Sequence, residues 1–209
     1  MRFINKWSYS FAKGLADALN ENHQSRRAYN FGFQVIIGES FKTVVIFLVA
    51  LVLGVFLPAL IVTMSFVTLR VIAGGYHMDS QGKCLITTLI LIIPAAWIAK
   101  LTNAHWSTWH LVVLIFIAFI AGLYALIRYA PRDNPNKPIT DPDEIRKFKR
   151  LSLIYLTIWL AIMLALTVWN LKLYVVASGF GILLELFMIT QMGHNFFDFI
   201  KTHLSIKRR

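Results

Sequence analysis

Long, nearly uninterrupted apolar runs constrain the fold of this chain more than any other feature. They are residues 43–69, 85–99, 108–127, 151–169 and 173–192. A helix that crosses the hydrocarbon core of a bilayer needs about 20 apolar residues, because each residue adds about 1.5 Å of rise. Only 15% of the 209 residues are charged, whereas a soluble domain carries about 25%. The sequence therefore predicts an all-α integral membrane protein with a single domain over residues 1–209.

The first apolar run is longer than one simple span requires. As a helix, residues 43–69 would reach roughly 40 Å, and Pro58 in its interior favours a break. Basic residues cluster before this run, within 128–150 and at the C-terminus, whereas Lys100 and Lys172 stand alone in their turns. The other four apolar runs each cross once. Because basic loops stay in the cytoplasm, all three basic clusters lie on that side only if the first run crosses an even number of times. We therefore expect about six membrane helices, the first two forming a short or re-entrant hairpin around Pro58.

The two ends of the chain differ from the apolar middle. Residues 1–42 are mixed, and their apolar side chains recur at helical spacing, as in Trp7, Phe11 and Leu15. Such amphipathic helices lie in the membrane interface or pack on other protein helices, and the pattern leaves both readings open. We expect residues 1–42 to form an amphipathic interfacial segment, 43–192 the membrane helices, and 193–209 a basic cytoplasmic tail.

The charge balance indicates a lipid partner. Lys and Arg number 21 against 10 Asp and Glu, a formal net charge of +11. In a membrane protein, basic residues near the span ends set the topology and contact anionic lipid. We therefore expect the lipid bilayer as a partner and no nucleic acid. The chain has one cysteine and lacks a Cys/His cluster with zinc spacing, so neither a metal nor a cofactor is predicted.

A short glycine-rich polar break from Arg70 to Cys84 separates two apolar runs. Ser80 is a plausible N-cap, which would place Cys84 in the first turn of the next helix, where the dipole favours an anion. Seven residues of continuous helix would separate His77 from Cys84 by about 10 Å. The glycines permit a bend that brings them together. We therefore predict a Cys84 thiolate nucleophile with His77 as its base and acid.

Other interpretations of these residues stay open. A lone cysteine is often a small buried hydrophobe, and Arg70 at a helix end also suits phosphate headgroups. Glu185 is an intramembrane carboxylate, which marks either a functional site or a structural partner for a base such as Arg70. A small transporter or peptide exporter, with Glu185 and the broken hairpin on its substrate path, is the main alternative to an enzyme.

The chain resembles the accessory gene regulator B (AgrB) family of bacterial membrane cysteine peptidases. The resemblance covers essentially the whole chain. The matching residues at the family's spacing are Arg70, Gly75, His77 and Cys84, supported by Tyr129-Ala130-Pro131, Lys137-Pro138-Ile139 and Gly181 through Glu185.

The resemblance implies a reaction and a location. Cys84 would attack the bond before the acidic C-terminal segment of a short precursor peptide, with His77 as general base and acid. The acyl-enzyme thioester would then close to a thiolactone or lactone quorum-sensing signal. A homodimer in the bacterial cell membrane is implied, and we place the site and both termini in the cytoplasm. We expect supporting or substrate-binding roles for Arg70, Gly75, Ser80, Lys137 and Glu185.

Overall fold

The computed structural model describes the backbone of residues 2–76, 78, 80–132 and 141–205. Within these ranges the chain is helical and contains no β-strand. The helices are α1 (Arg2–Ala18), α2 (His23–Val52), α3 (Phe56–Ala73), α4 (Gln81–Thr102), α5 (Thr108–Tyr129), α6 (Pro142–Val168), α7 (Lys172–Ile189) and α8 (Gln191–Ser205), with a 3-10 turn at Asn103–His105.

Six helices of the described chain, α2 to α7, are long and apolar enough to cross a membrane. Their mean hydropathy over the most apolar stretch ranges from 1.8 to 2.6. This confirms the predicted all-α integral membrane protein with six membrane helices. Helix α6 begins directly after Asp141, whose carboxylate accepts a hydrogen bond from the Asp143 amide at 2.9 Å and caps the helix.

The first hairpin turns at a different residue and has longer arms than expected. The break between α2 and α3 falls at residues 53–55, where Gly54 has a φ of 65°. Pro58 instead lies in the first turn of α3, where its missing N–H costs no helical hydrogen bond. Because α2 begins at His23, the later part of the mixed segment 1–42 is continuous with the first membrane helix.

Helix α1 folds back along the N-terminal half of α2. The ring of Phe3 contacts Phe41 at 5.1 Å and that of Phe11 contacts Phe33 at 5.7 Å, so the two helices run antiparallel. Trp7 is 59% exposed, and Phe3 and Phe11 are exposed on the same stripe. The prediction of an N-terminal amphipathic helix is confirmed. The packing on α2 is present through Phe3 and Phe11, whereas a position in the membrane interface stays a prediction for the exposed stripe.

Helix α7 is the centre of the bundle, packing against α3, α4, α5, α6 and α8. Small residues of α7 permit this close packing: a methyl group on Gly181 would lie 2.5 Å from the carbonyl oxygen of Val62 in α3. The hydroxyl of Ser178 bonds to the hydroxyl of Ser65 at 2.7 Å and accepts the indole N–H of Trp159 at 2.8 Å. These bonds satisfy polar groups that would otherwise be costly inside an apolar bundle.

The C-terminal segment contains a helix that packs on the bundle. Residues 191–205 form α8, whose Phe197 side chain is buried against the bundle. The apolar residues Phe197 and Ile200 lie three positions apart and pack into one cluster with Phe187 of α7. The sequence analysis did not identify this helix, because its amphipathic pattern is short; the basic cytoplasmic character of residues 193–209 stays a prediction.

Candidate active site

Cys84 lies in the first turn of α4, as the capping pattern predicts. The hydroxyl of Ser80 accepts a hydrogen bond from the Lys83 amide at 3.3 Å, and the Ser80 carbonyl accepts one from the Cys84 amide at 3.0 Å. Ser80 is extended and precedes the first helical residue, Gln81. Ser80 therefore acts as the N-cap of α4. The half-buried thiol of Cys84 lies at the positive end of the α4 dipole.

The side chain of Lys42 reaches the Cys84 sulfur from α2. Its ammonium lies 3.4 Å from Cys84 Sγ and 2.5 Å from a carboxylate oxygen of Glu39. The Lys42 side chain is 14% exposed, whereas that of Glu39 is 52% exposed. Sequence reasoning did not identify Lys42, because 42 positions separate it from Cys84. The available signal was a lone lysine directly before the first apolar run.

A buried ion pair lies at the same end of the bundle. Arg70, in the last turn of α3, donates to Glu185 of α7 at 3.3 Å, and Glu185 is fully buried. Arg70 also lies over the ring of Phe66 at 5.6 Å and 3.6 Å from the sulfur of Met188. Of the two readings of Glu185, the structural partnership with Arg70 is therefore the one that the contacts favour.

Arg70 also holds the start of the polar break. Its guanidinium donates to the carbonyl oxygen of Tyr76, the residue before His77. The Tyr76 amide donates to the carbonyl of Met188 at 3.2 Å. On the opposite side, Arg132 donates its amide to Ala73 at 2.8 Å. Arg132, directly after Tyr129-Ala130-Pro131, thus lies beside the break, and the start of the break is held by α3, α7 and Arg132.

Gly75 is required by this arrangement. Its φ is 151°, a conformation that other residues rarely adopt. A methyl group on Gly75 would also lie 2.8 Å from both Nη1 of Arg70 and Oε1 of Glu185. A side chain at position 75 would therefore press on the ion pair and displace the backbone that leads to His77.

Helix α8 docks on the break through Tyr76. The Tyr76 hydroxyl donates to the carboxylate of Asp198 at 2.7 Å, and its ring stacks on Phe197 with centroids 5.3 Å apart. The edge of His194 contacts the same ring at 5.0 Å. The C-terminal helix thus supports the residue adjacent to His77 in the chain.

We expect the docking of α8 to depend on pH through His194, which contacts the Tyr76 ring. Burial lowers the pKa of His194 below its ordinary 6.5, and Arg132 and Arg70 act in the same direction while Asp198 opposes them. The unfolded chain therefore takes up the proton more readily than the folded chain does. The stability that the neutral His194 side chain contributes is complete above about pH 6.5 and is lost as the pH falls below it. We expect wild-type protein to lose thermal stability relative to His194→Gln between about pH 7.5 and about pH 5.5. A stability difference between the two proteins that does not change with pH would contradict this.

The predicted site residues fall into two groups. Arg70, Gly75 and Glu185 form one contact cluster, and Ser80 and Cys84 form the start of α4. His77 and Lys137 lie outside the described residues, so the pairing of His77 with Cys84 and the role of Lys137 stay predictions. The described ranges contain no group of three or more His, Cys, Asp or Glu residues that could hold a metal ion.

The sequence is similar to proteins of one family. The model of Accessory gene regulator B matches residues 4–189. Over 164 residues the chain is 32% identical to an Accessory gene regulator protein B of Staphylococcus lugdunensis, covering 78% of this chain and 84% of that protein. It is 26% identical to a Putative AgrB-like protein 2 of Clostridium perfringens, covering 91% of this chain and 93% of that one. Among solved structures, none matches.

Proposed function

The chain belongs to the accessory gene regulator B family, and on that premise we propose that it is the membrane cysteine endopeptidase that processes a quorum-sensing precursor peptide. The thiolate of Cys84 attacks the carbonyl carbon of the scissile peptide bond, with His77 as the base. The carbon–nitrogen bond breaks, His77 returns the proton to the leaving amine, and the acyl group stays on Cys84 as a thioester.

The second step closes a ring. A thiol or hydroxyl within the acyl segment loses its proton to His77 and attacks the thioester carbonyl. The new thioester or ester forms as the bond to Cys84 breaks, so the enzyme is regenerated with a free thiol. Ring closure competes with hydrolysis, and a site at the membrane interface favours closure because it limits the access of water.

The observation that carries this proposal is the position of Cys84. It lies in the first turn of α4, which follows Tyr76 by five positions, and Tyr76 is bonded to both Arg70 and Met188. A helix N-terminus stabilises a thiolate and also donates N–H groups toward a developing oxyanion. An inert buried cysteine requires no such surroundings.

A basic surface near this end suits the acidic segment of the precursor. Arg146, Lys149 and Arg150 follow one face of α6 and line an open groove of about 490 Å³ together with Leu153 and Ile154. Charged groups of this kind attract an acidic peptide, and they also suit anionic lipid. A precursor with an acidic C-terminal segment is therefore the substrate that we propose. The homodimer implied by family resemblance stays a prediction.

We place this end of the bundle in the cytoplasm. The break that follows α3, the α5–α6 connection and α8 meet here through the contacts of Tyr76 and Arg132. The opposite end carries Lys100, which donates to the carbonyl of Gly54 at 2.8 Å, and Lys172 at the start of α7. The excess of basic residues at the site end supports this orientation under the positive-inside rule.

Trapping the acyl-enzyme tests the proposal directly. Purified full-length protein is mixed with a precursor peptide, quenched in acid and measured by intact-mass spectrometry. We expect a mass increase equal to the acyl segment, located on Cys84 and removed by hydroxylamine because thioesters react with it. Cleavage of the precursor without a Cys84 adduct under single-turnover conditions contradicts the proposal. Transport of the precursor without cleavage contradicts it as well.

A further inference from the structure

The Lys42 ammonium lies beside the Cys84 sulfur and has no role in the proposed acyl transfer so far. Lys42 Nζ lies 3.4 Å from Cys84 Sγ, and the Lys42 side chain is only 14% exposed. The attraction between a single positive charge and a negatively charged sulfur at this distance corresponds to about a tenfold effect even when water screens the pair. The contact therefore places a cation where it stabilises negative charge on the attacking sulfur.

The packing of α2 on α4 sets this contact. One turn before Lys42, Gly38 is buried against the side chain of Gln81, and a methyl group there would lie 2.9 Å from the Gln81 carboxamide. Gly38 with Gln81 and Lys42 with Cys84 are therefore successive layers of one helix contact. At the far end of the same two helices, Lys100 bonds to Gly54, so α2 and α4 run parallel over their shared length.

Glu39 orients the lysine. Both of its carboxylate oxygens lie near Lys42 Nζ, at 2.5 and 2.7 Å. The ammonium has three donors, so it reaches the carboxylate and the sulfur at the same time. Glu39 is half exposed and lies three positions before Lys42 on the same face of α2, which directs the lysine stem toward α4.

We propose that Lys42 is a positioning residue that stabilises the Cys84 thiolate for attack on the precursor, with Glu39 orienting the ammonium. The inference rests on the proposed function, in which Cys84 is the nucleophile. It adds an electrostatic group from a different helix to the predicted pair of His77 and Cys84. Loss of Lys42 would remove this cation from beside the Cys84 sulfur.

Alkylation of the single cysteine tests this without any precursor. The rate of Cys84 modification by iodoacetamide is measured on intact protein in detergent over a range of pH. At neutral pH we expect Lys42→Met to react about tenfold more slowly than wild type and its rate to rise at higher pH. Lys42→Arg retains the positive charge and restores most of the wild-type rate.

Lys83 is the matched control. It is adjacent to Cys84 in the sequence, but neighbouring residues of a helix do not face each other, and no contact between Lys83 and the sulfur is present in the described chain. Lys83→Met should stay within about twofold of wild type. Unfolding would expose the thiol and speed the reaction, so it cannot imitate the expected slowing. Among the described residues, the charged groups that enter this comparison are Lys42, Glu39 and Lys83.

Each result decides one question. The role of Lys42 is overturned if Lys42→Met is alkylated at the wild-type rate. It is also overturned if Lys42→Arg fails to restore the rate, or if Lys83→Met slows the alkylation as much as Lys42→Met does. The proposed peptidase function is judged separately, by precursor cleavage in Cys84→Ala. Slow alkylation of Lys42→Met together with retained cleavage by Cys84→Ala would overturn the enzyme proposal while keeping the electrostatic contact.

Discussion

Replacing Cys84 with alanine should abolish precursor cleavage while the protein still inserts and folds. Loss of a covalent nucleophile lowers turnover by on the order of 10⁶, which is below detection in most peptide assays. Cys84 is only half-buried in the first turn of α4, so the lost sulfur leaves a small gap with little effect on stability. The measurement is precursor cleavage by purified protein, followed by mass spectrometry. Cleavage at the wild-type rate in Cys84→Ala would remove the basis of the proposed reaction.

Two further variants make this result specific. Thr88 lies one turn beyond Cys84 and donates to the Cys84 carbonyl at 2.8 Å. Thr88→Ala therefore perturbs the same turn of helix while keeping the thiol, and it should retain most of the activity. His77→Ala should lower cleavage by about 10²–10⁴, the usual contribution of a general base. Inactive Thr88→Ala would indicate that the start of α4, rather than the sulfur, limits the reaction.

Removing Arg70 should destabilise the protein more than removing its partner. Arg70→Met leaves the fully buried Glu185 carboxylate without its ion pair. Breaking a buried pair from one side costs about 3–5 kcal/mol, because the remaining charge is uncompensated. Glu185→Gln should cost less, since a neutral amide still accepts the hydrogen bond from Arg70. The measurement is thermal or denaturant unfolding of the purified protein in detergent.

A double variant separates the effect of Arg70 on protein stability from its effect on the position of the Tyr76 backbone. In Arg70→Met/Glu185→Leu neither charge remains, so much of the stability should return. Cleavage should remain low, because the bond from Arg70 to the Tyr76 carbonyl is still missing. Arg128→Met is the control, as Arg128 is exposed near the same end of the bundle and a surface change is worth within about 0.5 kcal/mol. Full activity in the double variant would show that Arg70 is needed only to neutralise Glu185.

The six membrane helices were predictable because apolar length is a local property that a window of about 20 residues records. The N-cap at Ser80 and the position of Cys84 in the first turn were predictable for the same reason, since a cap depends on neighbouring residues. The turn between α2 and α3 was placed less accurately. Pro58 is the stronger breaker in a helix interior, but Gly54 precedes it and ends α2 first, which leaves Pro58 in a first turn that tolerates it.

Arg70 and Glu185 were identified separately, and their pairing was one of several options. The sequence contains no rule that brings residues 115 positions apart into contact; the packing of α3 on α7 does so. The role of Gly75 was likewise suspected only from resemblance. Its physical reason, the backbone conformation and the space beside the ion pair, depends on that same packing.

The apolar runs and the polar break between α3 and α4 thus depend on different kinds of information. By itself the sequence determined the membrane setting, the number of spans and the capped helix that presents Cys84, because these depend on composition and on neighbours along the chain. Only the tertiary structure decided which charges surround that cysteine and what anchors the break. Lys42 reaches Cys84, and α8 supports Tyr76, through contacts between helices that are distant in sequence. Such contacts depend on the shape of the packed bundle, which no local pattern records.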